Sequence, residues 1–246
     1  MKKLKTNFLV FSKNCIFFLL FILLFAGRQN FVISEEVQNK TAHQYYLDGL
    51  YYYADRSYNT SAEQFEALSK NYPYSEYTEK AIVLEAYTNY LDKEYAKIEG
   101  ICEIYYKLYP DGKYSDYITY LHGMSYYALV GNELISSDNI EDSMEIFEKL
   151  LEKYPESKFV NPAKKKIEYL LKLKQLHDLT IADFFYNTED YIAAMRRYTS
   201  MFNLYNTKLL PDIKKIALLQ IKNITKILQL ETEVNKYEKL LINDKK

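Results

Sequence analysis

The chain has 246 residues, 48% of them hydrophobic and 26% charged, with a formal net charge of −1. That length accommodates one large domain or two small ones, and the near-neutral balance excludes the basic stripe on which nucleic-acid binders depend. Six glycines and five prolines are too few to punctuate a many-stranded sheet, so helices joined by short turns are expected. The 27 tyrosines and the absence of tryptophan suit helix seams and groove walls, where one end of a ring is buried and the other wet.

Lys2, Lys3, Lys5 and Lys13 precede an apolar run from Cys15 to Gly27. A basic flank followed by a run of this length reads as an export signal, and it is short for a membrane span. Residues 1–34 are therefore assigned as an export signal or N-terminal anchor. The run ends Leu24-Phe25-Ala26-Gly27-Arg28, so an arginine stands where a lipoprotein signal places its acylated cysteine. Val32-Ile33-Ser34 offers small or modest side chains to a general signal peptidase. Cys102 is then left as a lone helical cysteine, read as a small core hydrophobe rather than part of a disulfide framework.

Beyond that segment a repeat governs the chain. Tyr72-Pro73-Tyr74-Ser75-Glu76-Tyr77, Tyr109-Pro110-Asp111-Gly112-Lys113-Tyr114 and Tyr154-Pro155-Glu156-Ser157-Lys158-Phe159 each close one amphipathic run and open the next. Proline stops a helix, serine or glycine turns the chain, and the aromatic starts another apolar face. Tetratricopeptide units of about 34 residues show such spacing. The first unit matches through Tyr45, Gly49, Tyr52, Tyr58, Ser61, Phe65, Leu68 and Pro73. Gly49 and Ser61 lack bulk where two helices cross, and Phe65 fills the space beside them.

The second unit keeps Ala86, Tyr95, Cys102, Tyr105 and Pro110 but departs at Asn89 and Ile98. The third pairs Gly123 and Tyr126 with Ser143, Phe147, Leu150 and Pro155 across an insertion from Asn132 to Asn139. The fourth runs through Ala182, Phe185, Tyr191, Ala194, Tyr198 and Met201, with Asn206 in place of proline. A divergent end unit follows, with Ile213, Ala217, Ile221, Ile224 and Leu228 on one face and Val234, Tyr237 and Leu241 on another. The expected fold is all-α, a tetratricopeptide-repeat superhelix of about five helix pairs. Residues 41–160 hold repeats 1–3 and residues 161–246 hold repeats 4–5. A helix from about Pro162 to Tyr186, roughly 35 Å long, joins them.

Catalytic signals are missing. No phosphate-cradling glycine pattern, nucleophile elbow or zinc-binding His/Cys set occurs, and no cofactor or metal is implied. His43, His122 and His177 are scattered, and His122 beside Gly123 reads as a hydrogen-bonded packing histidine. The pairs Glu141-Asp142 and Glu189-Asp190 suit helix starts, and Lys164-Lys165-Lys166 suits a solvated helix face.

The run Ala62-Glu63-Gln64-Phe65-Glu66-Ala67-Leu68 with Asn71-Tyr72-Pro73-Tyr74-Ser75-Glu76-Tyr77 resembles the first repeat of the BamD family of outer-membrane protein assembly factors. Tyr154 to Phe159 resembles its third repeat. Ala182-Asp183-Phe184-Phe185 with the run from Asp190 to Tyr198 is similar to its fourth. The resemblance runs from about residue 41 to 240, and it departs at Arg28 and at Ser136-Ser137-Asp138-Asn139, where relatives often carry an Arg-Asp pair.

The resemblance implies a non-catalytic scaffold at the periplasmic face of the outer membrane. It implies that the N-terminal repeats receive the C-terminal signal of an unfolded β-barrel client. The C-terminal repeats would hold the periplasmic domains of BamA beside other assembly subunits. A groove lined by Tyr45, Tyr52, Tyr74 and Tyr77 is the candidate client-binding site, with Tyr74 and Tyr77 favoured because they flank a helix start. Arg196 and Arg197 are the candidate partner-binding residues, for a carboxylate. Two alternatives stand beside this reading. One is a periplasmic adaptor serving cell-wall synthesis or division. The other is an accessory domain of a cell-wall enzyme, for which the chain supplies no catalytic domain.

Overall fold

The computed structural model describes residues 40–131 and 138–230. Each tyrosine–proline turn folds in the same way. In the first, Ser75 N–H donates to Tyr72 O and Thr78 N–H to Ser75 O, both at 3.1 Å. The pattern recurs as Gly112 to Tyr109 and Ser115 to Gly112, then as Ser157 to Tyr154 and Val160 to Ser157. Proline, which has no N–H to leave unpaired, sits where the old helix has ended and the new one has not begun.

These turns separate helices α1 (Ala42–Ala54) and α2 (Tyr58–Asn71) from α3 (Thr78–Leu91) and α4 (Tyr95–Leu108). They are followed by α5 (Ser115–Leu129) and α6 (Asp138–Lys153), then α7 (Val160–Asn187) and α8 (Tyr191–Tyr205). A short 3-10 turn (Asn206–Lys208) leads to α9 (Pro211–Ile227), with Pro211 at its start where the ring fits. Among the described residues there is no strand, and the all-α expectation stands. The last predicted helical face, Val234, Tyr237 and Leu241, lies outside the described residues, as do the N-terminal segment and most of the predicted insertion.

The turns inside the first, second and fourth repeats use a different device. Arg56, Lys93 and Glu189 take left-handed φ values of 63°, 65° and 63° although none is glycine. Ser57 N–H reaches back to Tyr52 O and Glu94 N–H to Asn89 O, both at 2.9 Å, so the last carbonyls of α1 and α3 are satisfied. Gln229, at φ 58°, closes α9 the same way, with Leu230 N–H donating to Thr225 O at 2.8 Å. By its closure α9 is the first helix of a fifth unit. Asp190 caps α8 by accepting from Ala193 N–H at 3.1 Å, which accounts for the Glu189-Asp190 pair.

Helix pairs cross at the small residues. Ser61 Oγ donates to Gly49 O at 2.7 Å, and Ser143 Oγ donates to Gly123 O at 2.9 Å. The rings of Phe65 and Phe147 lie against the two glycines so closely that an added Cβ would meet them at 2.5 and 2.6 Å. In the second repeat, Ile98 and Cys102 are fully buried in the equivalent space. The departure at Ile98 is thus a packing solution, and Cys102 is the core hydrophobe expected of it.

Among the described residues the core is a row of four clusters, each shared by neighbouring repeats. The 28-residue helix α7 takes part in two of them. Ala163 and Leu170 join the cluster with Phe147 and Leu150, while Leu179 and Ala182 join the one built on Tyr198 and Ile221. Hydrogen bonds lock its second half. Tyr198 donates to Asp183 and Tyr205 to Asp178. Gln175 donates to Lys208 O at 2.9 Å and accepts from Leu210 N–H at 2.8 Å, fastening the turn before α9.

Candidate functional site

The first helices of successive repeats touch directly, α3 with α5 and α7 with α9, and so form the inner layer of the stack. Across this layer runs a line of aromatic rings. Tyr53 of α1 lies 6.1 Å from Tyr87 of α3, and Tyr87 lies 6.4 Å from Tyr117 of α5. Tyr117 continues to Phe159, just before α7, at 5.3 Å, and Phe159 stacks on Tyr120 at 4.9 Å. A second group lies further along the same helices, where Tyr127 contacts Tyr169 at 6.1 Å and Lys166 sits 3.8 Å above the Tyr127 ring. Lys166 thus has an aromatic partner, whereas Lys164 and Lys165 stand in solvent as expected.

The phenols of Tyr87 and Tyr117 stay uncharged at neutral pH. Burial, then the neighbouring Tyr87 and Tyr53 hydroxyls, pushes Tyr117 up to about 12. Tyr87 is raised by burial and by its hydrogen bond with Tyr53. Each ring therefore offers an apolar face and a hydroxyl that both donates and accepts. Tyr53 is 36% exposed, and Tyr87 and Tyr117 are half-buried.

The four tyrosines expected to bind a client are placed unequally. Tyr45 packs on the first core cluster with its ring 6.3 Å from Tyr72, and Tyr52 meets Tyr51 edge-on at 5.4 Å. Tyr77 belongs to the same cluster: it stacks on Tyr46 at 5.1 Å and shares a 3.0 Å hydrogen bond with His43 Nδ1. Only Tyr74, 99% exposed, stands clear in its turn. Tyr77 thus flanks the start of α3, as expected, and also packs against the first core cluster.

Sequence reasoning missed Tyr53, Tyr87, Tyr117 and Phe159. A partial signal was present, because Tyr53, Tyr90 and Tyr127 each fall one helical turn after the small residues Gly49, Ala86 and Gly123.

Arg196 and Arg197 are both exposed on α8. Arg196 lines a groove of about 630 Å³ with Ile192, Met195, Leu228 and Leu230. Neither arginine is paired with a carboxylate among the described residues. No helix of the described residues is long and apolar enough to cross a membrane.

A family model described as YfiO, outer membrane lipoprotein, matches residues 38–240. The chain belongs to this family. Three relatives, each called outer membrane protein assembly factor BamD, show how far the likeness extends. The protein of Pasteurella multocida is 22% identical over 182 residues, 70% of this chain and 70% of the relative. That of Rickettsia prowazekii is 24% identical over 162 residues, covering 66% and 64%. That of Vibrio cholerae is 27% identical over 156 residues, covering 59% and 65%. Among solved structures, the TPR2AB-domain:pHSP90-complex of yeast Sti1 aligns over 82% of this chain and 77% of that one, at a TM-score of 0.46 and 13% identity. The family match begins after Arg28, so it does not include the position where a lipid-bearing cysteine is looked for.

Proposed function

We propose that this protein is a non-catalytic scaffold for β-barrel assembly at the periplasmic face of the outer membrane. On this reading the inner face of repeats 1–3 receives unfolded barrel segments, and the carboxy-terminal repeats, residues 161–246, hold the periplasmic domains of BamA. Family membership supports the role, and the aromatic line from Tyr53 to Phe159 is the observation that carries the client site. An extended segment places every second side chain about 6.6–6.8 Å apart. The rings of Tyr53, Tyr87 and Tyr117 are spaced at 6.1 and 6.4 Å, so alternate aromatic side chains of a client lie in register with them. Stacking supplies affinity, while the neutral hydroxyls meet backbone groups that an unpaired strand leaves open. Tyr74, exposed in the first turn, is open to a client as well, whereas Tyr45 and Tyr77 pack on the first core cluster. Arg196 and Arg197, without a carboxylate partner among the described residues, are suited to an acidic patch on the BamA side.

The test is binding of a labelled peptide with alternating aromatic residues, measured by fluorescence anisotropy. Tyr87→Ala with Tyr117→Ala is expected to weaken it about tenfold or more, and a peptide with serine at the aromatic positions is expected not to bind. Unchanged affinity in the double variant removes the aromatic line from the function. A cell-wall adaptor is the less favoured reading, since the relatives above carry the assembly-factor name.

A further inference from the structure

Two buried side-chain nitrogens among the described residues, His122 Nε2 and His177 Nδ1, have no hydrogen-bond partner. His177 Nδ1 has the Asp178 carboxylate 3.8 Å away. His122, 8% exposed, instead lines a cleft of about 520 Å³ on the layer opposite the aromatic line. Tyr106 and Pro110 at the end of α4 form one wall, Ile146, Lys149 and Lys153 of α6 the other, and α5 supplies Thr119 and His122 between them. Its size falls in the range of small-ligand pockets.

We infer that this cleft binds a carboxylate carried by an acidic side chain of a partner polypeptide, with His122 Nε2–H and the Lys149 and Lys153 ammonium groups as donors. His122 Nδ1 lies 3.4 Å from Tyr106 Oη. Burial pushes the Tyr106 phenol up, so its proton stays on oxygen. With that phenol donating to Nδ1, the single proton of the neutral imidazole sits on Nε2, which then lacks an acceptor. A buried donor left unpaired costs free energy that an incoming oxygen recovers.

The charges around the cleft agree. Lys149 is exposed and paired with Glu145 at 2.6 Å, and Lys153 donates to Pro110 O at 3.0 Å while lying over the Tyr154 ring. The lining itself carries two ammonium groups against the one carboxylate of Glu152, while Glu99 on α4 acts on His122 and Glu145 on Lys149 from outside it. Ile146, Pro110 and the tyrosine rings provide an apolar sleeve for the methylene stem of a glutamate.

The equivalent cleft one repeat earlier has the opposite character. There Glu85, held protonated at neutral pH, takes the place of His122, each preceding the small residue of its helix, and the Glu63 and Glu66 carboxylates outnumber the Lys97 ammonium in the same space of about 560 Å³. A carboxylate accepted between α4 and α6 is repelled between α2 and α4. The two clefts therefore discriminate by charge where along the stack an acidic residue docks.

Binding carries a signature. In the open cleft burial holds His122 down to about 4, with Glu99 raising it and Lys149 lowering it. A carboxylate beside Nε2 favours the imidazolium, so the titration midpoint moves upward. The experiment uses the full chain with its histidines carbon-13 labelled. It is titrated with the blocked peptide acetyl-Gly-Gly-Glu-Gly-Gly-amide and with its glutamine twin. The glutamate peptide is expected to shift the His122 resonance, to raise its midpoint by about one pH unit or more, and to leave His43 and His177 unmoved. Lys149→Gln with Lys153→Gln, both at exposed positions, is expected to weaken that binding about tenfold. Equal shifts with the glutamine peptide, equal shifts at all three histidines, no shift up to the solubility limit, or unchanged affinity in the lysine variant would each overturn the assignment.

Discussion

Replacing Glu85 with glutamine removes a carboxyl group that the fold holds away from its ordinary charge state. Burial first, then the nearby Glu66 carboxylate, pushes Glu85 from 4.5 up to about 8, while Lys70 pulls the other way. In the unfolded chain the group ionises near 4.5. Between those two values the folded protein binds more protons than the unfolded one, so its stability is greatest below the lower value and is lost as pH rises through the upper. At about 1.4 kcal/mol per pH unit, the interval sets a ceiling near 5 kcal/mol. Glu85 is only partly covered, and the Lys70 ammonium, paired with Glu66 at 2.6 Å, lies close enough to act on it, which reduces the expected loss to about 1–3 kcal/mol. Urea unfolding of both proteins from about pH 4 to pH 9 reads the effect directly. The two midpoints should converge at the acid end and separate toward alkaline pH, with the glutamine variant the more stable. Parallel curves, or a variant that is the weaker at high pH, would refute the argument that burial without a counter-charge controls this group.

The helix crossings make a prediction of opposite signs at two glycines. Gly123→Ala brings a methyl group to 2.6 Å from the Phe147 ring and should cost about 1–2 kcal/mol, overpacking of about 1–3 kcal/mol being partly offset by better helix propensity. Gly100→Ala meets nothing within 4 Å and should stabilise by about 0.5–1 kcal/mol. Phe147→Leu combined with Gly123→Ala should show favourable coupling in a double-mutant cycle, and additive costs would mean the clash is relieved elsewhere. Tyr74→Ala should leave thermal stability within about 0.5 kcal/mol of the parent, whereas Tyr77→Ala should cost about 1–3 kcal/mol through the lost stack on Tyr46. Equal melting temperatures for the two variants would contradict the packing described for Tyr77.

Much of the fold is legible because its devices are local. The three tyrosine–proline turns, the small residues at Gly49, Ser61, Gly123 and Ser143, and the aromatic Phe65 and Phe147 recur in one order, the third unit being lengthened by its insertion. Each acts on residues one helix away. A repeat whose interfaces involve nearest neighbours can be read from period alone. The same logic located the long helix, which the structure extends slightly at both ends to Val160 and Asn187. Where the pattern broke at Asn89 and Ile98, the sequence signalled a weaker match, yet both side chains are buried. Asn89 Nδ2 donates to Glu85 O at 2.9 Å, and Ile98 fills the crossing.

By itself, then, the sequence determined the helical repeat, its register along residues 41–230 and the family to which the chain is similar. Which tyrosines share a surface was decided by the tertiary structure alone. Tyr45, Tyr52, Tyr74 and Tyr77 belong to one repeat and were grouped by proximity in the chain, whereas Tyr53, Tyr87, Tyr117 and Phe159 come from four separate segments. The angle at which each helix pair stacks on the next aligns those four rings, and that angle follows from side-chain volumes at crossings rather than from any spacing in the chain. The unpaired Nε2 of His122 was equally illegible. Burial and the absence of an acceptor are properties of the space between α4, α5 and α6, and that space exists only once the three helices have packed.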